Sequence, residues 1–191
     1  MKKLIFATNN AHKLEEVRAI VGTQFELVTL REAGITEDIP EDEPTIEGNA
    51  LAKARYVWAK TGCDCFADDT GLEVDALGGA PGVHSARYAT DGHDFGANRT
   101  KLLREMEGKT DRKARFRTVV ALIEGGVEHC FEGIVEGEIT TSEIGDGGFG
   151  YDCLSRPTIY TQTFAELAPE EKNAISHRGR AVTKLAKWLN K

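Results

Sequence analysis

The chain has 191 residues, 40% hydrophobic and 29% charged, with a formal net charge of -7. That length supports one well-cored domain, and so ordinary a composition excludes a disordered or low-complexity chain. The acidic balance, with no basic stripe, argues against a nucleic-acid binder, and no apolar run approaches the ~18 residues of a membrane span.

The N-terminus MKKLIFATNN places two lysines before an apolar run. LIFA is too short for a secretory core, which needs ~7–15 apolar residues, so a cytoplasmic protein is expected. LIFAT reads as a short strand. TNNAHK, residues 8–13, is polar and turn-prone, and KLEEVRAIV sets Leu14, Val17 and Val21 on one helical face. A second helix is expected from about Thr45 to Lys60, stopped by Gly62.

CDCFA reads as a strand that ends at Asp68 and Asp69, with Thr70 and Gly71 turning the chain sharply. LEVDAL extends or pairs with it. A third helix is expected around 96–107. RFRTVVALIE and VEHCFEGIVEGEI flank Gly125-Gly126, the strongest hairpin signal in the chain. GDGGFGYD, 145–152, is a loop, and a final helix starts near Ser176 with Val182, Leu185 and Leu189 at helical spacing. Early alternation of strands and helices, a late hairpin and a closing helix give an α/β or α+β layer fold with a mixed sheet. Nothing marks a linker between independent domains. Cys63 and Cys65 are spaced C-x-C, with Cys130 and Cys153 far away. This is not zinc-site spacing, and buried free thiols are expected.

Three segments carry candidate chemistry. TNNAHK lies where a strand hands over to a helix, whose first N–H groups and dipole favour an anion. Its polar residues serve either as caps or as a phosphate loop. The aspartate pair offers hard oxygen ligands for a cation such as magnesium at the carboxyl end of a strand. The bland alternative is one capping and one solvated aspartate. The acidic run EDIPEDE, 37–43, adds Glu41 as a further candidate ligand. GGFGYD supplies an aromatic face on Phe149 and a carboxylate on Asp152. EEKNAISHRGRA, 170–181, gathers Lys172, His177 and Arg178 around a helix start, where cations oppose the dipole unless an anion compensates.

In register, ATNNAHK, TIEGNALAKA, ADDTGLEVDALGGAPGVHSARYA, GGFGYD and ISHRGRA closely resemble the inosine/xanthosine triphosphate pyrophosphatases over nearly the whole chain. The resemblance implies an elongated mixed-sheet α/β fold of two lobes around a central substrate cleft, formed by one domain over 1–191. It implies a homodimer, a Mg2+ requirement, and hydrolysis of deaminated purine nucleoside triphosphates (ITP, dITP, XTP) to monophosphate and pyrophosphate. It puts Thr8, Asn9, Asn10 and Lys13 on the triphosphate loop, which also holds Ala11 and His12. It makes Asp69 and Lys13 the catalytic pair, with Asp69, Asp68 and Glu41 at the metal and Thr70 on the substrate. Phe149, Gly150, Tyr151 and Asp152 fall on the base pocket, and Lys172, His177 and Arg178 on base and phosphate contacts. Donors from Arg178 and the nearby backbone would read the purine keto oxygen. The sequence departs from the family after GYD, where CLSRPTIYTQ replaces the usual proline and apolar residues, and at Gly48, which replaces a frequent acid. The alternatives are a related pyrophosphatase acting on other nucleotides and a non-catalytic nucleotide sensor. An aspartyl-phosphate phosphatase is excluded because Asp68, Asp69 and Thr70 are contiguous rather than spaced.

Overall fold

The computed structural model describes Met1–Lys191. Strand β1 (Lys3–Phe6) leads to helix α1 (Ala11–Val21), followed by β2 (Glu26–Val28), α2 (Ile46–Thr61), β3 (Cys65–Val74) and β4 (Pro81–Gly82). Then come α3 (Phe95–Glu105), β5 (Lys113–Glu124), β6 (Val127–Ile139), β7 (Ser155–Pro157), α4 (Pro169–Ile175) and α5 (His177–Leu189). The sheet runs β2-β1-β3-β5-β6-β7, with β4 on β3. β1 is parallel to β2 and β3, whereas the β3–β4 and β6–β7 pairs are antiparallel, so the sheet is mixed as expected.

Local chemistry explains the helices. Asn10 caps α1 by accepting from the Lys13 N–H, Thr45 caps α2 through Gly48, and Asp94 caps α3 through Ala97. Gly62 ends α2 in the left-handed conformation. Gly125 and Gly126, both at positive φ (58° and 84°), make the two-residue connection between β5 and β6 that the sequence signalled.

The chain divides into two compact units. Unit 1 comprises Met1–Asp69, Thr118–Gly133 and His177–Lys191. Its core joins Phe6 and Phe66, stacked at 4.5 Å between ring centres, to Val17 and Val21 of α1 and to Val182 and Leu185 of α5. Unit 2 comprises Thr70–Arg117 and Ile134–Ser176, with a core of Leu72, Leu102, Phe116, Ile139, Tyr151 and Phe164. Strands β3, β5 and β6 each contribute residues to both units.

Two expectations are corrected. β3 does not end at the aspartates: it continues through Asp68, Asp69, Thr70 and Gly71 to Val74. In a pleated strand, successive side chains leave on opposite faces. Adjacent carboxylates therefore diverge instead of repelling, and no turn is needed to separate them. The thiols are not uniformly buried either. Cys65 points under α2, where its thiol donates to Ala54 O, while Cys63 lies exposed beyond the end of α2 and Cys130 exposed on β6. Burial pushes the Cys65 thiol up to about 12.

Candidate active site

The aspartate pair organises unit 1. On the face that Phe66 shares with α1 and α5, Asp68 is 1% exposed. Its Oδ1 accepts from Lys13 Nζ at 3.2 Å, and its Oδ2 accepts from Arg178 Nε at 3.0 Å. Arg178, 2% exposed, also donates through Nη1 to Glu16 of α1. Burial alone would raise the Asp68 carboxyl, but Lys13, Arg178 and Lys53 outweigh it and hold Asp68 well below the usual carboxylate range. Asp68 is therefore a fixed anion at neutral pH.

On the opposite face, Asp69 Oδ2 accepts from the Asn49 amide of α2 at 3.2 Å. Asn49 in turn accepts from the Glu43 N–H at 2.9 Å. Lys53, one turn further along α2, donates to Glu41 at 2.9 Å and to the Asp68 carbonyl at 2.5 Å. Glu37 accepts from Tyr56 at 2.7 Å and pairs with Lys60. Two acids of the run, Glu37 and Glu41, thus pair along α2, while Asp38, Asp42 and Glu43 stay exposed, and Glu41 comes to the aspartates. Burial raises the Asp69 carboxyl, with a further push from Glu41, against the pull of Lys53 and Lys13. Lys53 is itself raised because Asp68, Glu41 and Asp69 overcome its desolvation.

Mutual repulsion between Asp69 and Glu41 is what a bound dication relieves. No cluster of three His, Cys, Asp or Glu side chains cages an ion. One or two carboxylates suit a hard divalent ion that keeps waters and phosphate oxygens as its other ligands. The donor set present fits such an ion.

The 8–13 segment runs from just after β1 into the first turn of α1. The Thr8 hydroxyl accepts from the Asn10 N–H at 3.1 Å, Asn9, Ala11 and His12 are exposed, and Lys13 keeps 15% of its side chain accessible. Burial lowers the Lys13 ammonium, with Asp68 pulling the other way. The segment both caps α1 and carries a cation to Asp68.

Unit 2 holds the other group. Asp152 Oδ2 accepts from the Phe149 N–H at 3.0 Å and from Lys172 Nζ at 2.8 Å. The Lys172 ammonium lies 5.0 Å from the centre of the Phe149 ring. A Cβ on Gly148 would meet Asp152 Oδ2 at 2.2 Å, and φ there is +68°, so only glycine lets the loop fold over the carboxylate. The Tyr151 hydroxyl donates to Ser85 O at 2.6 Å, pinning the loop from below. This unit presents an aromatic face beside a buried cation–anion pair, which suits a planar polar ring.

Of the residues singled out in the sequence, the structure gathers Lys13, Glu41, Asp68, Asp69 and Arg178 in unit 1, and Thr70, Phe149, Gly150, Tyr151, Asp152 and Lys172 in unit 2. His177 is buried at the start of α5 in unit 1. The sequence directed Arg178 to a keto oxygen. In the structure its guanidinium donates to Asp68 and to Glu16. Lys53, Asn49 and Glu16 were not anticipated. A signal for two of them was present: Asn49 and Lys53 fall on the buried face of α2 with Ile46, Ala50, Ala54 and Val57, where polar residues need a reason.

The chain is similar to known proteins over nearly its whole length. A dITP/XTP pyrophosphatase of Porphyromonas gingivalis is 53% identical over 190 residues, covering 99% of this chain and 98% of its own. One of Flavobacterium johnsoniae is 49% identical over 187 residues, covering 98% and 97%. The solved structure of a HAM1 protein from Coxiella burnetii superposes with a TM-score of 0.91 at 37% identity, covering 100% of this chain and 99% of that one. The sequence profile of the Ham1 family matches residues 4–188, and the chain belongs to that family.

Proposed function

We propose that this protein hydrolyses deaminated purine nucleoside triphosphates, ITP, dITP and XTP, to the monophosphate and pyrophosphate. The single observation that carries the reading is the partly buried constellation Lys13–Asp68–Asp69–Lys53–Glu41, two cations interleaved with three carboxylates. The names of the relatives support the choice of substrate. In this proposal Asp69 and Glu41 hold magnesium, which when bound neutralises charge on the phosphates. Asp69 also orients and deprotonates the attacking water. Asp68 holds Lys13 and Arg178 at the phosphate end. The Thr8–Lys13 segment, at the N-terminus of α1, receives the triphosphate, with Thr70 as a further substrate contact. At the base end, Phe149 stacks on the purine and Gly150, Tyr151 and Asp152 frame it. Lys172 and the His177–Arg178 segment complete the substrate contacts. A homodimer and a cytoplasmic location belong to the same proposal, the first checked by sedimentation equilibrium. No helix is long and apolar enough to cross a membrane.

The base ranking follows from hydrogen-bond polarity. Hypoxanthine and xanthine carry a keto oxygen at position 6 and a hydrogen on N1, whereas adenine carries an amino group and a bare nitrogen. A pocket set with Lys172 as donor and Asp152 as acceptor meets adenine with donor against donor at position 6 and acceptor against a bare nitrogen at N1. Mismatches of this kind reject a wrong substrate by up to ~10⁴-fold. Guanine shares the keto edge and differs only by its 2-amino group, so its rejection is weaker. Pyrophosphate release with magnesium and a nucleotide panel is expected to rank ITP and XTP above GTP, and GTP above ATP. ATP hydrolysed as fast as ITP defeats the base assignment, and no turnover on any nucleotide leaves only binding.

Lys13 meets phosphate in both the ground and transition states, so its contribution is largely uniform binding. Lys13→Ala is expected to raise KM for ITP at least as clearly as it lowers kcat. An unchanged KM removes the 8–13 segment from the phosphate.

A further inference from the structure

The loop that carries Phe149 and Asp152 is glycine-rich: Gly145, Gly147, Gly148 and Gly150 lie within six positions, and three of them have positive φ. Such a segment has much conformational freedom to lose, and its middle is held only in part, by the Gly147 N–H donating to Ala165 O at 3.1 Å. Helix α3 adds a second hold on the side of Phe149 and Gly150. Phe95 and Arg99, four residues apart, share one helical face. The Phe95 ring lies 6.1 Å from the Phe149 ring. Arg99 Nη1 donates to the Gly150 carbonyl at 3.0 Å, and its Nε donates to Glu143 Oε1 at 2.6 Å. The same Glu143 oxygen accepts from the Cys153 thiol at 3.4 Å, and Cys153 O accepts from the Ile144 N–H at 2.8 Å. Arg99 thus grips the loop on its entry side and at its middle, and Cys153 ties its exit to the same carboxylate.

The grip is anchored. Asn98, 1% exposed, donates to Ala86 O at 2.9 Å and accepts from the Ala89 N–H at 2.8 Å, while Leu102 and Met106 lie in the unit 2 core. Cys153 opens the CLSRPTIYTQ segment, where the sequence departs from its resemblance.

We propose that Arg99 is a specificity-determining positioning residue: with Glu143 and Cys153 it clamps the 145–152 loop so that Phe149 and Asp152 meet the purine in one fixed geometry. This rests on the base-end reading above. Arg99 touches no reacting atom. Its loss lets the loop sample other shapes, which weakens base binding and blurs discrimination while the phosphate end is untouched.

Arg99→Met keeps the aliphatic stem and removes the fork. The test is made on the full chain with two readouts. Amide hydrogen exchange without nucleotide is expected to quicken about tenfold or more at Phe149 and Asp152, the scale of one lost charge-assisted hydrogen bond, with β5 amides unchanged. Steady-state kinetics are expected to show KM for ITP raised about 5–10-fold, kcat within about 2-fold, and a smaller ITP-to-ATP ratio of kcat/KM. Arg99→Lys keeps the charge without the fork and is expected to recover part of both losses. If wild-type protein turns over no nucleotide, the functional reading falls while the exchange experiment still decides the clamp. Unchanged exchange at Phe149 and Asp152 overturns the proposal. So does an unchanged KM and base ranking in a protein that hydrolyses ITP.

Discussion

Asp69→Asn is expected to lower kcat for ITP by about 10²-fold or more, the scale of lost general-base help, while ITP still binds. The substitution removes the charge and the basicity but keeps the shape. The amide can still meet Asn49, which lies at 3.2 Å from Oδ2, so the strand should keep its register. Burial and Glu41 raise this carboxyl while no metal is bound, and a cation held there would lower it again. Single-turnover kinetics beside equilibrium titration with ITP separate the two effects. Wild-type turnover in the variant removes Asp69 from the chemistry, and loss of binding alone makes it a substrate anchor.

Arg178→Ala is expected to act on both stability and activity. Arg178 and Asp68 are 2% and 1% exposed, so the truncation strips a buried carboxylate of one of its cations. Breaking a buried ion pair by removing one partner costs about 3–5 kcal/mol, and a fall of that size in urea-unfolding free energy is expected. Glu16 loses its contact with Arg178 at the same time. Because Asp68 also holds Lys13, the loss of activity should fall on ITP and ATP alike. A loss confined to ITP assigns Arg178 to the keto oxygen, as the sequence first indicated. Arg178→Lys, which keeps the charge but not the fork, should be intermediate.

The two faces of β3 show why part of this site was legible and part was not. Asp68-Asp69 stood out because like charges side by side need a reason. The strand end and sharp turn expected there do not occur: β3 runs on to Val74, and pleating alone separates the two side chains. One aspartate faces the α1 and α5 side and the other faces α2. Long periodic elements read well: α2, α3, the β5–β6 hairpin and α5 all fall within a few residues of expectation. The short strands β2, β4 and β7 did not read, because two or three residues carry no period. Helix α4 was hidden for a similar reason, being seven residues long and ending directly before α5. Lys53 was missed because an alanine-rich helix was read by its apolar stripe alone. Its meaning appears only when the loop carrying Glu41 is laid against that helix. Arg99 and Glu143 are 44 positions apart and carry no local signature, so only the fold brings them together.

The central claim is cleavage between the α and β phosphates of a deaminated purine nucleotide. It is tested most directly by incubating the full chain with ITP and magnesium and identifying products by phosphorus NMR or anion-exchange chromatography. IMP and pyrophosphate are expected in equal amounts, with no IDP at any time point and no reaction in Asp69→Asn on the same timescale. Release of orthophosphate with IDP, or intact ITP after prolonged incubation, would contradict it.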